Sequence, residues 1–460
     1  MREPAMFKAH QSNKAATINP LKMSQPLGGA LALLGIDNCL PCFHGSQGCT
    51  AFGLVLMVRH FREAIPLQTT AMDQVQTILG GYDNLEAAVL TMYERNKPEV
   101  IGVCTTGLTE TKGEDMRGAL ATFRKRHPEV SDNCHLVFVN TPDFTGGLED
   151  GFANTVTAII DGMVTPSEMT VSNRVNVLAG SHLTPGDVEE IRDLIEGFGL
   201  TAVILPDLST SLGGRQPDDF KATTLGGVTA KEIQGMGASV LTLALGEHMR
   251  KPAEALERKT GVPFLLFDRL VGLEAADRFI KALADVSGQP VPARVRRQRE
   301  HLVDGMLDGH FYFSRKRVAV ALEPDLLAAY CGFLQDMGCE VTAAVAPTQS
   351  PALEKIKAWS LLVGDHEDFE TLSHGSDLVI SNSHARQSVD RLGTPLVRAG
   401  FPTFDRLGAG HRVVVGYRGT RDLLFELGNI FLANDHEHAS HDWKHDPKME
   451  DHHGGPHAAA

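Results

Sequence analysis

Three thiols fall within eleven residues, in Cys39-Leu40-Pro41-Cys42 and then, seven residues on, Cys49. The thiolate is the form of cysteine that binds metals and exchanges disulfides, so this spacing raises both chemistries. Cys49 is the better placed for a metal. It follows the turn Gly45-Ser46-Gln47-Gly48, where a missing Cβ lets backbone approach a bulky ligand. It also opens a stretch predicted to be helical through Phe52, Val55 and Leu56 to His60. The free N–H groups and the dipole of a helix start favour a thiolate there. Three readings of Cys39-x-x-Cys42 stand side by side: a redox dithiol, part of a zinc site, or two small buried hydrophobes. A dithiol wants a strand before it and a helix after it. A zinc site wants a second ligand pair at similar spacing, and none is found. The third reading needs only burial.

The other cysteines offer less. Cys104 sits inside the apolar run Val100–Thr105 and reads as core, and Cys134, Cys331 and Cys339 lack ligand spacing. His44, Arg59 and His60 flank Cys49 and are candidates to stabilise an anionic group from behind its ligand. For Arg59 and His60 a solvated helix end or a subunit contact is the competing reading. Near the C-terminus His436, His438, His441, His445, His452, His453 and His457 could bind Ni²⁺ or Zn²⁺, set against a merely solubilising tail. No Gly-x-x-x-x-Gly-Lys-Ser/Thr loop occurs, and the Gly-Gly pairs do not form a dinucleotide fingerprint. Autonomous P-loop ATP hydrolysis therefore has no support.

The elements that must position these residues repeat one rhythm: a short apolar or β-branched run, a polar turn, an amphipathic helix. That rhythm predicts parallel α/β layers. Strands are expected at Val100–Thr105, Leu136–Asn140, Val175–Ala179, Ala202–Pro206, Val240–Ala244, Pro263–Phe267, Val318–Leu322, Val341–Val345, Leu378–Ser381 and Thr394–Arg398. Their polar carboxyl ends point to clefts, where ligands of such sheets bind. Thr184-Pro185-Gly186-Asp187 reads as a helix start, with threonine as the cap and proline in the first turn. Polar, proline-bearing stretches at Gly162–Arg174 and Gly288–Arg299 suggest boundaries. The division is an unstructured 1–16, three α/β domains at 17–165, 172–290 and 310–433, and a disordered His-rich tail at 434–460.

With 460 residues, 42% of them hydrophobic, two to four domains with real cores are expected. A net charge of −14 argues against nucleic acid as a partner. No apolar run approaches the roughly 20 residues that span a bilayer. Without a secretory signal, the cytoplasm is the expected compartment, where seven cysteines stay reduced.

Taken together and in order, several segments resemble the β-type subunits of the nitrogenase superfamily. They are Ser24-Gln25-Pro26-Leu27-Gly28, His44-Gly45-Ser46-Gln47-Gly48-Cys49, Arg59-His60-Phe61-Arg62-Glu63, Thr105-Thr106-Gly107 and Asn140-Thr141-Pro142-Asp143-Phe144-Thr145-Gly146. Leu183–Asp187, Pro206–Ser209, Arg398–Pro402 and Gly416–Gly419 continue the likeness, which covers about residues 17–433. The resemblance implies three Rossmann-like domains, each a mostly parallel sheet flanked by helices. The catalytic β subunit carries three cysteines for its share of an eight-iron P-cluster; at two of those positions this chain has Ser24 and Gly107, leaving Cys49.

One thiolate here and three from a partner would complete a [4Fe–4S] centre. The likeness is therefore to the branch that assembles the iron–molybdenum cofactor, a scaffold and not a turnover enzyme. It implies an α₂β₂ heterotetramer with NifE, which shares the cluster and holds most of the cofactor precursor. It further implies transient docking of NifH, the NifB product as the incoming cluster, and apo-nitrogenase as acceptor. The alternative is a catalytic oxidoreductase subunit, of the nitrogenase β or dark-operative protochlorophyllide reductase type.

Overall fold

The computed structural model describes residues 9–14, 16–73, 76, 81–214 and 221–442. Among them, strand β1 (His10–Gln11) pairs in parallel with a strand some 350 residues later. Part of the segment expected to be unstructured therefore belongs to a sheet edge. Lys14 adds an ion-pair cluster with Asp365, Glu367 and Asp368 at 2.7, 2.8 and 3.0 Å.

The first sheet holds β2 (Cys39–His44), β3 (Gln68–Thr69), β4 (Val100–Thr105) and β5 (His135–Val139), in the order β3-β2-β4-β5. The second holds β6 (Arg174–Leu178), β7 (Thr201–Leu205), β8 (Leu241–Leu245) and β9 (Phe264–Phe267), in the order β7-β6-β8-β9. The third holds β10 (Arg317–Ala321), β11 (Glu340–Ala346), β12 (Ser360–Val363), β13 (Leu378–Ser381) and β14 (Leu396–Arg398), in the order β1-β12-β11-β10-β13-β14. Every pairing is parallel. Parallel sheets are covered on both faces, which is why runs such as Val-Ile-Gly-Val-Cys-Thr are buried along their whole length.

The ten expected strands all appear, shifted by a residue or two. Four that were not expected complete the first and third sheets: β1, β2, β3 and β12. Pro41 and two cysteines disguised β2, which is nonetheless a fully buried strand paired with β4 from Cys39↔Val100 to His44↔Thr105.

Two helices fix the first sheet. Gln25–Leu34 is buried at every residue and crosses Leu148–Met163 at glycines on both sides. A Cβ on Gly28 would stand 2.0 Å from the Leu148 carbonyl oxygen, and one on Gly151 would stand 2.0 Å from that of Gln25. Backbone meets backbone, and the start of the first helix is held in place. The last helix, Gly416–Asp442, packs along Ala293–Phe313. It carries the backbone of His436, His438 and His441 in helical form. His445, His452, His453 and His457 lie outside the described residues.

Candidate functional site

Strand β2 delivers the chain to the carboxyl edge of the first sheet, where Gly45 and Ser46 turn it into the helix Gln47–Phe61. Gly45 is needed for close packing against its neighbour: a Cβ there would stand 2.1 Å from Thr106 Oγ1. Ser46 is the N-cap residue. Its hydroxyl makes no capping bond and instead lies 3.8 Å from the Cys49 sulfur. Cys49 occupies the first helical turn and is exposed, beside a Gly48 with nothing but Ser46 Oγ near its Cβ position. An exposed thiol among the free N–H groups of a helix start suits a thiolate ligand.

Two more helix starts share this edge. Ser24 stands at the N-cap position of Gln25–Leu34 without a side-chain capping bond, and Thr106 precedes the short helix Gly107–Lys112. The loop after β5 ties them together. Gly107 N–H donates to Asp143 Oδ2 at 3.2 Å, Lys22 Nζ to the Asp143 carbonyl at 3.2 Å, and Gln25 Nε2 to the Thr145 carbonyl at 2.7 Å. Burial raises the Asp143 carboxyl above its usual range, against the Gly107 N–H and Lys22. Ser24, Cys49 and Gly107, far apart in sequence, therefore occupy one rim.

The helix that carries Cys49 also turns Phe52, Val55 and Val58 outward, at 69%, 52% and 41% exposure. From Phe52 and Val55 the sequence predicted only a helix; the structure directs them away from the core. Phe144, in the loop beside Asp143, is 64% exposed. A contiguous apolar helix face next to an exposed thiol is the signature of a surface that another protein covers.

The remaining thiols cannot join Cys49. Side chains alternate along a strand, so Cys39 and Cys42, three apart, point to opposite faces of the first sheet and enter separate cores. That removes the dithiol and zinc readings and leaves two buried hydrophobes. Burial holds both thiols above the ordinary cysteine range and pushes Cys104 and Cys134 up to about 12. Cys331 and Cys339 are buried in the core that joins the second and third sheets. All seven cysteines lie among the described residues, and Cys49 alone is exposed. The donor set fits one ligand contributed to a shared centre and not a whole cluster within this chain.

Residues 24–432 match the family model described as nitrogenase component 1 type oxidoreductase. The chain belongs to the nitrogenase component 1 family. It is 50% identical over 426 residues to the nitrogenase iron-molybdenum cofactor biosynthesis protein NifN of Bradyrhizobium diazoefficiens, covering 92% of this chain and 91% of that one. It is 40% identical over 441 residues to the protein of the same name from Klebsiella pneumoniae, covering 95% of each. A solved chain titled nitrogenase Cp1 at pH 6.5 superposes with a TM-score of 0.87 at 30% identity, over 98% of this chain and 99% of that one. No helix among the described residues is long and apolar enough to cross a membrane.

On this nitrogenase component 1 frame, the residues expected to stand behind Cys49 separate from it. Arg59 and His60 sit at the opposite end of the same helix, about 15 Å along its axis. There they clamp the 400–404 loop of the third sheet. The Arg59 guanidinium lies 4.1 Å above the Phe404 ring, His60 Nδ1 accepts from Thr403 N–H at 2.8 Å, and Arg62 donates to the Phe404 carbonyl at 2.8 Å. Burial lowers the His60 pKa to about 4, so the ring is neutral at neutral pH.

His44 is likewise committed elsewhere. It is fully buried, with Nε2 2.7 Å from Glu114 and Nδ1 3.0 Å from Thr70. Its hydrogen bond, with its charge adding to the effect, holds the Glu114 carboxyl below its usual range despite burial. These three residues fix the frame around the cysteine helix without touching its thiol.

Proposed function

We propose that this chain is the β-type half of a scaffold on which the precursor of the iron–molybdenum cofactor is matured. In this reading Cys49 supplies one thiolate to a [4Fe–4S] cluster whose other ligands come from an α-type partner, NifE, in an α₂β₂ assembly. The observation that carries it is the solitude of Cys49: one exposed thiol, on an exposed apolar helix face, with its six fellow cysteines buried. The relatives named for cofactor biosynthesis support the same role.

The chain's own residues supply position and electrostatics. The start of the helix that carries Cys49 turns N–H groups toward the rim, where they stabilise negative charge on the thiolate. Ser46 Oγ lies close enough to donate to the sulfur. Phe52, Val55 and Val58 would be covered by the partner, which excludes water from the ligand. When bound, the cluster supplies a one-electron site at the interface. Molybdenum and homocitrate would be incorporated with NifH, after delivery of the NifB product and before transfer to apo-nitrogenase.

A catalytic β subunit would need further thiolates at the rim, and Ser24 and Gly107 stand where the resemblance puts them. The test is Cys49→Ser in the purified complex with the α-type partner. We expect loss of the [4Fe–4S] paramagnetic signal and of most of the associated iron. Unchanged iron content and spectrum would remove Cys49 as a ligand. Failure of the intact complex to activate apo-nitrogenase with precursor, molybdate, homocitrate and NifH would remove the scaffold role.

A further inference from the structure

His182, His248 and Asp325 meet where the second and third sheets join. His182 follows β6, His248 follows the neighbouring β8, and Asp325 lies in the first turn of the helix Pro324–Asp336 after β10. One possible ligand atom from each lies within 4.8 Å of the other two. The side chains of His248 and Asp325 are 6% and 1% exposed. His248 offers both its ring Nδ1–H and its backbone N–H, the latter at 3.1 Å, to Asp325 Oδ2. Asp325 Oδ1 and His182 Nδ1 are buried and have no hydrogen-bond partner among the described residues.

A buried donor or acceptor left unsatisfied is costly, so two such atoms in one cluster call for a ligand that pairs them. The backbone is shaped to keep that space. A Cβ on Gly246 would stand 2.6 Å from Asp325 Oδ2 and 2.8 Å from His182 Cε1, and its φ of +102° suits glycine alone. A Cβ on Gly180 would stand 2.7 Å from His182 Nδ1.

We propose that His182, His248 and Asp325 bind a divalent first-row transition-metal ion, at a site separate from Cys49. Two imidazoles and one carboxylate suit Fe²⁺, Co²⁺, Ni²⁺ or Zn²⁺ and are a poor set for Mg²⁺ or Ca²⁺, which take oxygen ligands. Three protein ligands leave coordination positions free. Of the three, His182 also lines, with Ser181, Thr184 and Glu323, a cavity of about 550 Å³ bounded by residues of all three sheets' domains.

Without metal, His248 carries its hydrogen on Nδ1, and its Nε2 accepts from Ser181 N–H at 3.1 Å. A metal at Nδ1 moves that hydrogen to Nε2, so the bond from Ser181 N–H is given up and Ser181 Oγ, 3.4 Å away, accepts in its place.

The test uses the full-length chain in complex with its partner, loaded with Zn²⁺, freed of excess and assayed for zinc by mass spectrometry. His182→Gln and Asp325→Asn should each hold about one zinc fewer per chain than the parent, with helical content unchanged. The C-terminal histidines are present in every sample and cancel in the difference. Equal zinc in parent and variants would overturn the site. A variant that misfolds is bypassed by zinc-edge anomalous diffraction from crystals of the unsubstituted complex soaked in Zn²⁺. A peak between the three side chains supports the proposal, and peaks confined to other places overturn it.

Discussion

At the scale of single residues, what separates Cys49 from the other six thiols is exposure. Thiolates, not thiols, react, and burial suppresses ionisation of the others: Cys104, Cys134 and Cys339 are pushed up to about 12. This predicts how the cluster-free chain responds to a thiol reagent. Under native conditions we expect a single rapid equivalent of labelling, which vanishes in Cys49→Ser, while the remaining thiols react only after denaturation. Rapid native labelling of two or more thiols in the unsubstituted chain would contradict the burial of Cys39 and Cys42. At the same scale, His182, His248 and Asp325 escaped the sequence reading although a signal was present. Gly180-Ser181-His182 and Gly246-Glu247-His248 repeat Gly-x-His directly after two apolar strands. Only the adjacency of β6 and β8 turns the repetition into a pair of neighbouring imidazoles.

At the scale of elements, the start of the helix Pro185–Gly197 was legible in sequence. Thr184 caps it as expected, accepting from Asp187 N–H at 2.9 Å while Asp187 Oδ2 accepts from Thr184 N–H at 3.1 Å. What sequence did not reveal is the second use of Asp187. Its Oδ1 accepts from Val414 N–H at 2.7 Å and Val415 N–H at 3.2 Å, pinning a loop more than 200 residues away. Asp187→Ala would orphan three backbone donors at once, the two from Val414 and Val415 buried. With charge-assisted bonds contributing about 1.5–3 kcal/mol, we expect a loss of about 2–4 kcal/mol, read as a lower urea midpoint at unchanged slope. A loss near zero would mean that the 412–415 loop is held by other contacts. The missed strand β2 fails for a related reason. Its six residues carry no alternation, because a parallel strand covered on both faces shows none.

At the scale of the whole molecule, side chains from distant segments tie the three sheets together. His60 joins the cysteine helix to the third sheet, packed between Phe61 and Phe401 with ring centroids 4.5 and 4.9 Å away. Burial lowers its pKa from 6.5 to about 4, against the Thr403 hydrogen bond, which acts to raise it. Between those values the unfolded chain takes a proton that the folded chain refuses. Stability contributed by neutral His60 is therefore present above pH 6.5 and is lost as pH falls toward 4. Denaturation curves taken from pH 7 down to 4.5 should show that decline, and His60→Asn should make it shallower. An identical pH slope in parent and variant would mean that His60 is protonated without cost.

By itself the sequence determined the fold class, most strand positions, the helix cap at Thr184 and the suspicion that fell on Cys49. These are local properties, set by apolar periodicity, turn chemistry and the reactivity of one residue type. Tertiary structure decided which suspects meet. It sent Cys39 and Cys42 to opposite faces of a strand, put Arg59 and His60 at the far end of the helix from Cys49, and joined His182, His248 and Asp325 across two sheets. Spacing along a chain fixes distance only within one element. Between elements, proximity follows from strand order and packing, which belong to the folded molecule as a whole.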